Sequence, residues 1–187
     1  MGRPHARFTG RVVVNGIAQS VDDWQGSQNH NWGSRHTDRY SWGQVAGFDN
    51  APNVFLECAT AQLKFGPVWS PQMSPVVLRT EDTEFAMNGI VRAMRTTARV
   101  DFFRWDIDAR QAKVRIAGFF HASPSDFVAL TYPNPPGGAK ICLNTKIASA
   151  EFTLYRTGQP PRTLSTLHRA AFEIVTDRID HGVPVVL

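Results

Sequence analysis

Side chains able to do chemistry are concentrated in one stretch of the chain. Residues 24–44 hold Trp24, Trp32, Trp42, Tyr40, His30 and His36, set among Gln25, Gln28, Asn29, Asn31 and Gln44. Trp and Tyr join an apolar body to a polar tip that wants a partner when buried. The mixture therefore predicts an ordered polar network in an apolar setting, either a structural plug or the wall of a ligand pocket. His30 titrates near neutral pH without tuning, which makes it a candidate general acid or base. Its alternative role is to lock the loop by donating and accepting hydrogen bonds. His30 and His36 stand six residues apart, with no nearby Cys and only Asp38 as a carboxylate. That is not a zinc spacing, and no metal is expected.

The second candidate is Glu57, a lone carboxylate in the apolar run Val54-Phe55-Leu56-Glu57-Cys58-Ala59. Alternation puts it on one strand face with Phe55 and Ala59. Among apolar side chains a carboxyl group keeps its proton and suits proton donation. The alternative is a Glu pointing outward from a wet strand face. A Gly-rich phosphate loop, a G-x-S-x-G elbow and a paired-Cys motif are all missing, so nucleotide, serine-hydrolase and redox-dithiol readings have no support and no cofactor is expected.

The elements that must position these residues read as strands. In Phe103-Arg104-Trp105-Asp106-Ile107-Asp108 apolar and charged residues alternate, and Lys113–Phe120 does the same. Similar runs cover Phe8–Val14, Tyr40–Phe48, Val54–Phe65, Asp126–Tyr132, Ile141–Arg156 and Ser165–Val175. Asn15-Gly16 is a two-residue hairpin turn, because both central positions of a type I′ turn take positive φ. Pro133–Gly138 and Gly158–Pro161 separate further strands. Met87, Ile90, Val91, Met94 and Ala98 recur at helical spacing and predict one short helix over Asn88–Ala98, capped by Asn88, with both methionines packing against the sheet. Eight to ten strands joined by tight turns argue for an all-β antiparallel barrel or sandwich.

Length and composition agree. The 187 residues suit a single domain over 1–187, and 42% hydrophobic against 19% charged content excludes disorder and coiled coil. Two cysteines, Cys58 and Cys142, cannot build a disulfide framework and are expected as free thiols. The net charge is +4, and sixteen of the twenty basic residues are arginines scattered along the chain. Nucleic-acid binders cluster such charge, so no nucleic-acid partner is expected. No apolar run reaches the length of a membrane helix and the start lacks a signal-peptide core, which leads to the expectation of a cytoplasmic protein.

Asn29-His30-Asn31-Trp32-Gly33, followed after a short gap by Tyr40-Ser41-Trp42-Gly43-Gln44, resembles the lipocalin-like family of tocopherol cyclase, carotenoid 1,2-hydratase (hydroxyneurosporene synthase) and the AttH-type proteins. The strand Ile141–Lys146 and the Pro-Gly turn before it also look similar. The resemblance implies a calycin barrel and acid-assisted chemistry on double bonds of large apolar molecules. His30, Asn31, Trp32, Tyr40, Trp42 and Gln44 would then be ligand-binding or loop-locking positions, and the proton donor would be His30 or, on the separate reading of its own strand, Glu57. Family members commonly carry two barrels in tandem, whereas this chain has room for one. It is therefore expected as a single barrel, as the second half of a longer protein, or as a module pairing with itself or a partner barrel. The alternatives to catalysis are a carrier of an apolar ligand and a barrel that completes a partner subunit.

Overall fold

The computed structural model describes residues 3–29, 37–133 and 137–186, and divides the chain into two compact units, Met1–Trp32 and Gly33–Leu187. In the first unit, β1 (Arg3–Val14) and β2 (Ile17–Gln28) form a two-stranded antiparallel sheet. Val14 pairs with Ile17 across the expected turn, where Asn15 has φ 51° and Gly16 φ 80°. Both values are positive, as a type I′ turn demands.

The second unit is built on one ten-stranded antiparallel sheet. Its strands in chain order are β3 (Arg39–Phe48), β4 (Ala51–Gln62), β7 (Val76–Arg79), β8 (Glu84–Met87), β9 (Thr97–Asp101), β10 (Arg104–Gln111), β11 (Val114–His121), β12 (Val128–Pro133), β13 (Ala139–Arg156) and β14 (Arg162–Thr176). The short ribbon β5 (Lys64–Phe65) and β6 (Val68–Trp69) lies between β4 and β7 in the chain. The spatial order is β8-β7-β4-β3-β14-β13-β11-β10-β9, with β12 also paired to β13. The class is all-β and antiparallel with one short helix, as the alternation predicts.

Curvature sets where the core lies. Trp105 of β10 stacks on Phe172 of β14 at 6.1 Å between ring centroids, although β11 and β13 lie between them in the ladder. Only a strongly curled sheet points those two side chains at one place. Phe120 and Phe152 join them, all four rings are fully buried, and Phe127 packs edge-on against Phe172 at 5.6 Å. β8 and α1 (Ile90–Arg95) come close to β10, so the sheet edges approach each other. Among the described residues no strand pairing joins β8 to β9, and the backbone ladder is not closed.

The helix is shorter than its periodicity predicts. It spans Ile90–Arg95 and is capped by Gly89, not Asn88; Thr97 and Ala98 belong to β9, paired with Asp108 and Ile107 of β10. Ladder hydrogen bonds to a neighbouring strand outweigh helical spacing in a β-branched stretch. Only Ala93 of the helix is buried. Met87 sits in the core as part of β8, whereas Met94 is half-exposed, so only one methionine packs inside. No helix among the described residues is long and apolar enough to cross a membrane.

Candidate functional site

Two arrangements of side chains result, one on each face of β3, β4 and β14. Register assigns the faces. Ser41 pairs with Thr60 and Ile174, and these inward positions share a face with Phe172. Tyr40, Trp42 and Gln44 fall on the opposite face, with Glu57, Glu173 and Val175.

The inward face ends in a cleft of about 300 Å³ where β3 begins and β4, β9 and β14 finish. Its walls include the buried hydroxyl residues Ser41, Thr60 and Thr176 beside Ile174, Val100 and Phe102. Thr60 Oγ1 and Ser74 Oγ share a hydrogen bond of 2.9 Å. The amides of Gln62 and Gln72 also line the cleft and donate to Ser70 O (3.2 Å) and Ala98 O (2.9 Å). Two arginines and Asp101 also line it, the Asp101 carboxylate accepting from the Phe102 N–H at 2.8 Å. Arg39 lies 4.4 Å over the Trp69 ring and 3.6 Å from Asp177. Arg178 lies 4.3 Å over Phe102 and grips Asp180 through two bonds of 2.9 and 2.6 Å. Each guanidinium has an aromatic face and a carboxylate, so the rim presents compensated charge. A cleft of hydroxyls, amides and apolar walls suits an uncharged molecule with one polar end.

The outward face carries a chain of polar contacts. Trp42 Nε1 donates to Glu57 Oε1 at 2.9 Å. Lys146 Nζ lies 5.4 Å from the centre of the Trp42 ring and donates to Glu173 Oε1 at 2.8 Å. Asn144 Nδ2 donates to the same oxygen at 2.7 Å, and the Tyr40 hydroxyl also bonds Glu173. Burial, then the charges around it, raise the Tyr40 hydroxyl well above the usual phenol range. Tyr132 is raised too, chiefly by burial, and burial pushes the Cys142 thiol up to about 11. These groups are neutral donors at physiological pH, not nucleophiles.

The residues expected from sequence divide accordingly. Trp42 and Glu57 are bonded to each other, Gln44 is the ladder partner of Glu57, and Tyr40 belongs to the network while also lining the cleft. Gln44 is buried, and its Nε2 has no hydrogen-bond partner. His30, Asn31, Trp32 and His36 lie outside the described residues. Glu57 is half-buried, with its carboxylate spent on the indole. Sequence reading missed Glu173, Asn144, Lys146 and Tyr132. Glu173 carries the signal that drew attention to Glu57, a lone acid in the apolar run Ala171–Val175. Asn144 and Lys146 alternate with core positions in a strand already noted. Among the described residues no group of three His, Cys, Asp or Glu is placed to hold a metal ion.

Comparison with curated proteins finds similar chains in a mycobacterium. The chain is 28% identical over 155 residues to an uncharacterised protein found in two strains of Mycobacterium tuberculosis, CDC 1551 / Oshkosh and ATCC 25618 / H37Rv. The match takes in 81% of this chain and 45% of the relative, so the chain spans about half the length of the curated relatives it matches. No family model and no solved structure matches.

Proposed function

We propose that this domain binds an apolar small molecule with a polar end in the cleft between β3, β4, β9 and β14. The observation that carries the reading is the cleft itself, where buried hydroxyls converge beside apolar walls. At about 300 Å³ it stands at the small end of ligand sites, which run to roughly 1,000 Å³. Trp105, Phe120, Phe152 and Phe172 fill the space deeper in the curled sheet. A larger isoprenoid-like or polyketide-like ligand therefore seats only its polar end and leaves its tail at the mouth.

Carriage is the better supported form of this proposal, because Glu57 faces away from the inner surface and is held by Trp42. The acid-assisted cyclisation or hydration implied by the family resemblance is the second reading. The half-buried network of Tyr40, Trp42, Glu57, Glu173 and Lys146 favours it, since a second domain over that face would convert it into an enclosed polar site. Relatives of about twice the length supply room for one.

Titration with retinol, followed by its fluorescence, tests the cleft. Ser41→Leu adds volume at its base. It is expected to weaken binding about tenfold or more while the melting temperature moves by only a few degrees. Unchanged affinity in a folded Ser41→Leu protein overturns the site. Catalysis, if present, incorporates solvent deuterium into product at a pH-dependent rate; carriage does neither.

A further inference from the structure

The first unit ends in an apolar tip. Val12, Val13, Val14 and Ile17 are 38%, 52%, 53% and 67% exposed, around the Asn15-Gly16 turn. Register puts Val12, Val14 and Ile17 on one face of the ribbon and Val13 and Ala18 on the other. An ordinary hairpin shows one dry and one wet face. Here both faces are dry next to the turn, Val14 and Ile17 on one and Val13 and Ala18 on the other, and the first polar side chain is Gln19, opposite Val12. A flat protein partner covers one face of a ribbon; a lipid phase surrounds both.

Two further facts point the same way. The stretch Phe8–Val21 contains no carboxylate, and its one charge is Arg11. At roughly 3.3 Å per residue, the turn lies about 10 Å beyond Val12, which matches the roughly 5–10 Å to which interfacial segments bury apolar groups. Arg11 follows immediately, at the depth of anionic headgroups. The carboxylates of the hairpin, Asp22 and Asp23, come only farther back, where Asp23 is paired with Arg7 at 3.0 Å.

We infer that the tip of the β1–β2 hairpin inserts into an anionic lipid surface, with Val12, Val13, Val14 and Ile17 in the acyl boundary and Arg11 among the headgroups. This rests on the hairpin alone and stands whether or not the cleft binds a ligand.

The test is co-sedimentation of the whole chain with vesicles of phosphatidylcholine alone and of phosphatidylcholine with phosphatidylglycerol. The mixed vesicles are expected to bind the protein. The triple variant Val13→Thr, Val14→Thr, Ile17→Thr keeps β-branched side chains and charge while removing apolarity, and is expected to lose about tenfold or more of that binding. Arg11→Gln is expected to lose about fivefold on the mixed vesicles and little on the neutral ones. If the triple variant loses its hairpin, the single variants Val13→Thr and Ile17→Thr decide, and both must weaken binding because they lie on opposite faces. Failure of the native protein to sediment with the mixed vesicles overturns the inference. So does full binding by the Thr variants. So does a native dimer, seen by light scattering, that the Thr variants dissociate without changing vesicle binding, which makes the tip a self-association surface.

Discussion

Phe120 lies against the bare α-carbon of Gly43: a β-carbon there would stand 2.7 Å from the Phe120 ring. The glycine between Trp42 and Gln44 is thus a space requirement of the core. Its neighbours in sequence face outward to the polar network while it admits the core aromatic cluster against β3. Gly43→Ala is expected to destabilise the protein by about 1–3 kcal/mol, as overpacked cores do. Phe120→Leu in the same chain should cost less than it does alone, which urea midpoints of the four proteins will show. An unchanged midpoint for Gly43→Ala would refute the packing.

The Trp42–Glu57 bond gives a second expectation. Trp42→Phe removes the indole N–H and keeps most of the ring. The loss should be about 1 kcal/mol, since the carboxylate is half-buried and partly solvated. In a double-mutant cycle with Glu57→Leu the coupling should reach about 0.5 kcal/mol or more. Strict additivity would mean the two side chains do not interact in solution.

Both thiols are free and buried, and burial raises both above the ordinary 9.0, Cys142 to about 11. Ellman's reagent should therefore react with native protein only as fast as it unfolds, and count two thiols in denaturant. Between pH 9 and 11 the folded state holds a Cys142 proton that the unfolded chain has lost, so stability should fall as pH rises through that window. A Cys142→Ala protein should show less of that fall. Rapid stoichiometric labelling of native protein at pH 8 would contradict the burial.

Asp108 gives the acid limb. Hydrogen bonds from Arg110 and then Arg115 hold it at about 2, below the ordinary 3.8. Protons bind the unfolded chain first, so this contribution is complete above about pH 4 and disappears as pH falls toward 2. Urea midpoints of native protein and Asp108→Asn should converge at pH 2 and separate at pH 6. The separation should be modest, about 1 kcal/mol or less, because both arginines are well exposed. Curves that stay equally separated at both pH values would remove the ion pairs from the account.

Most of the fold was legible in period two. Tyr40–Phe48, Ile141–Arg156 and Ser165–Val175 correspond to β3, β13 and β14, because a strand with one dry face must alternate. β2 was legible only where it leaves the Asn15-Gly16 turn, since its far end, Trp24-Gln25-Gly26-Ser27-Gln28, has no dry face to write an alternation. The helix was overextended because Met87, Val91 and Ala98 keep helical spacing by coincidence, as members of three different elements. At the site, residue types marked Trp42 and Glu57 as partners of something. They could not tell inward from outward, because strand parity is relative until a register is known. Glu173 joins them only through β14, far along the chain, and long-range pairing leaves no local mark.

The position of β14 has a consequence for biosynthesis. It lies between β3 and β13, hydrogen-bonded to both, and follows the other described strands of the sheet in the sequence. While the ribosome is still upstream of Arg162, the β3–β8 and β9–β13 portions have no strand to join them, and Phe172 is missing from the aromatic cluster. Consolidation must therefore await the emergence of β14, a non-local step before which two apolar half-sheets remain open to chaperones and to each other. A nascent chain stalled before β14 should be as protease-sensitive as an unfolded one in its second unit.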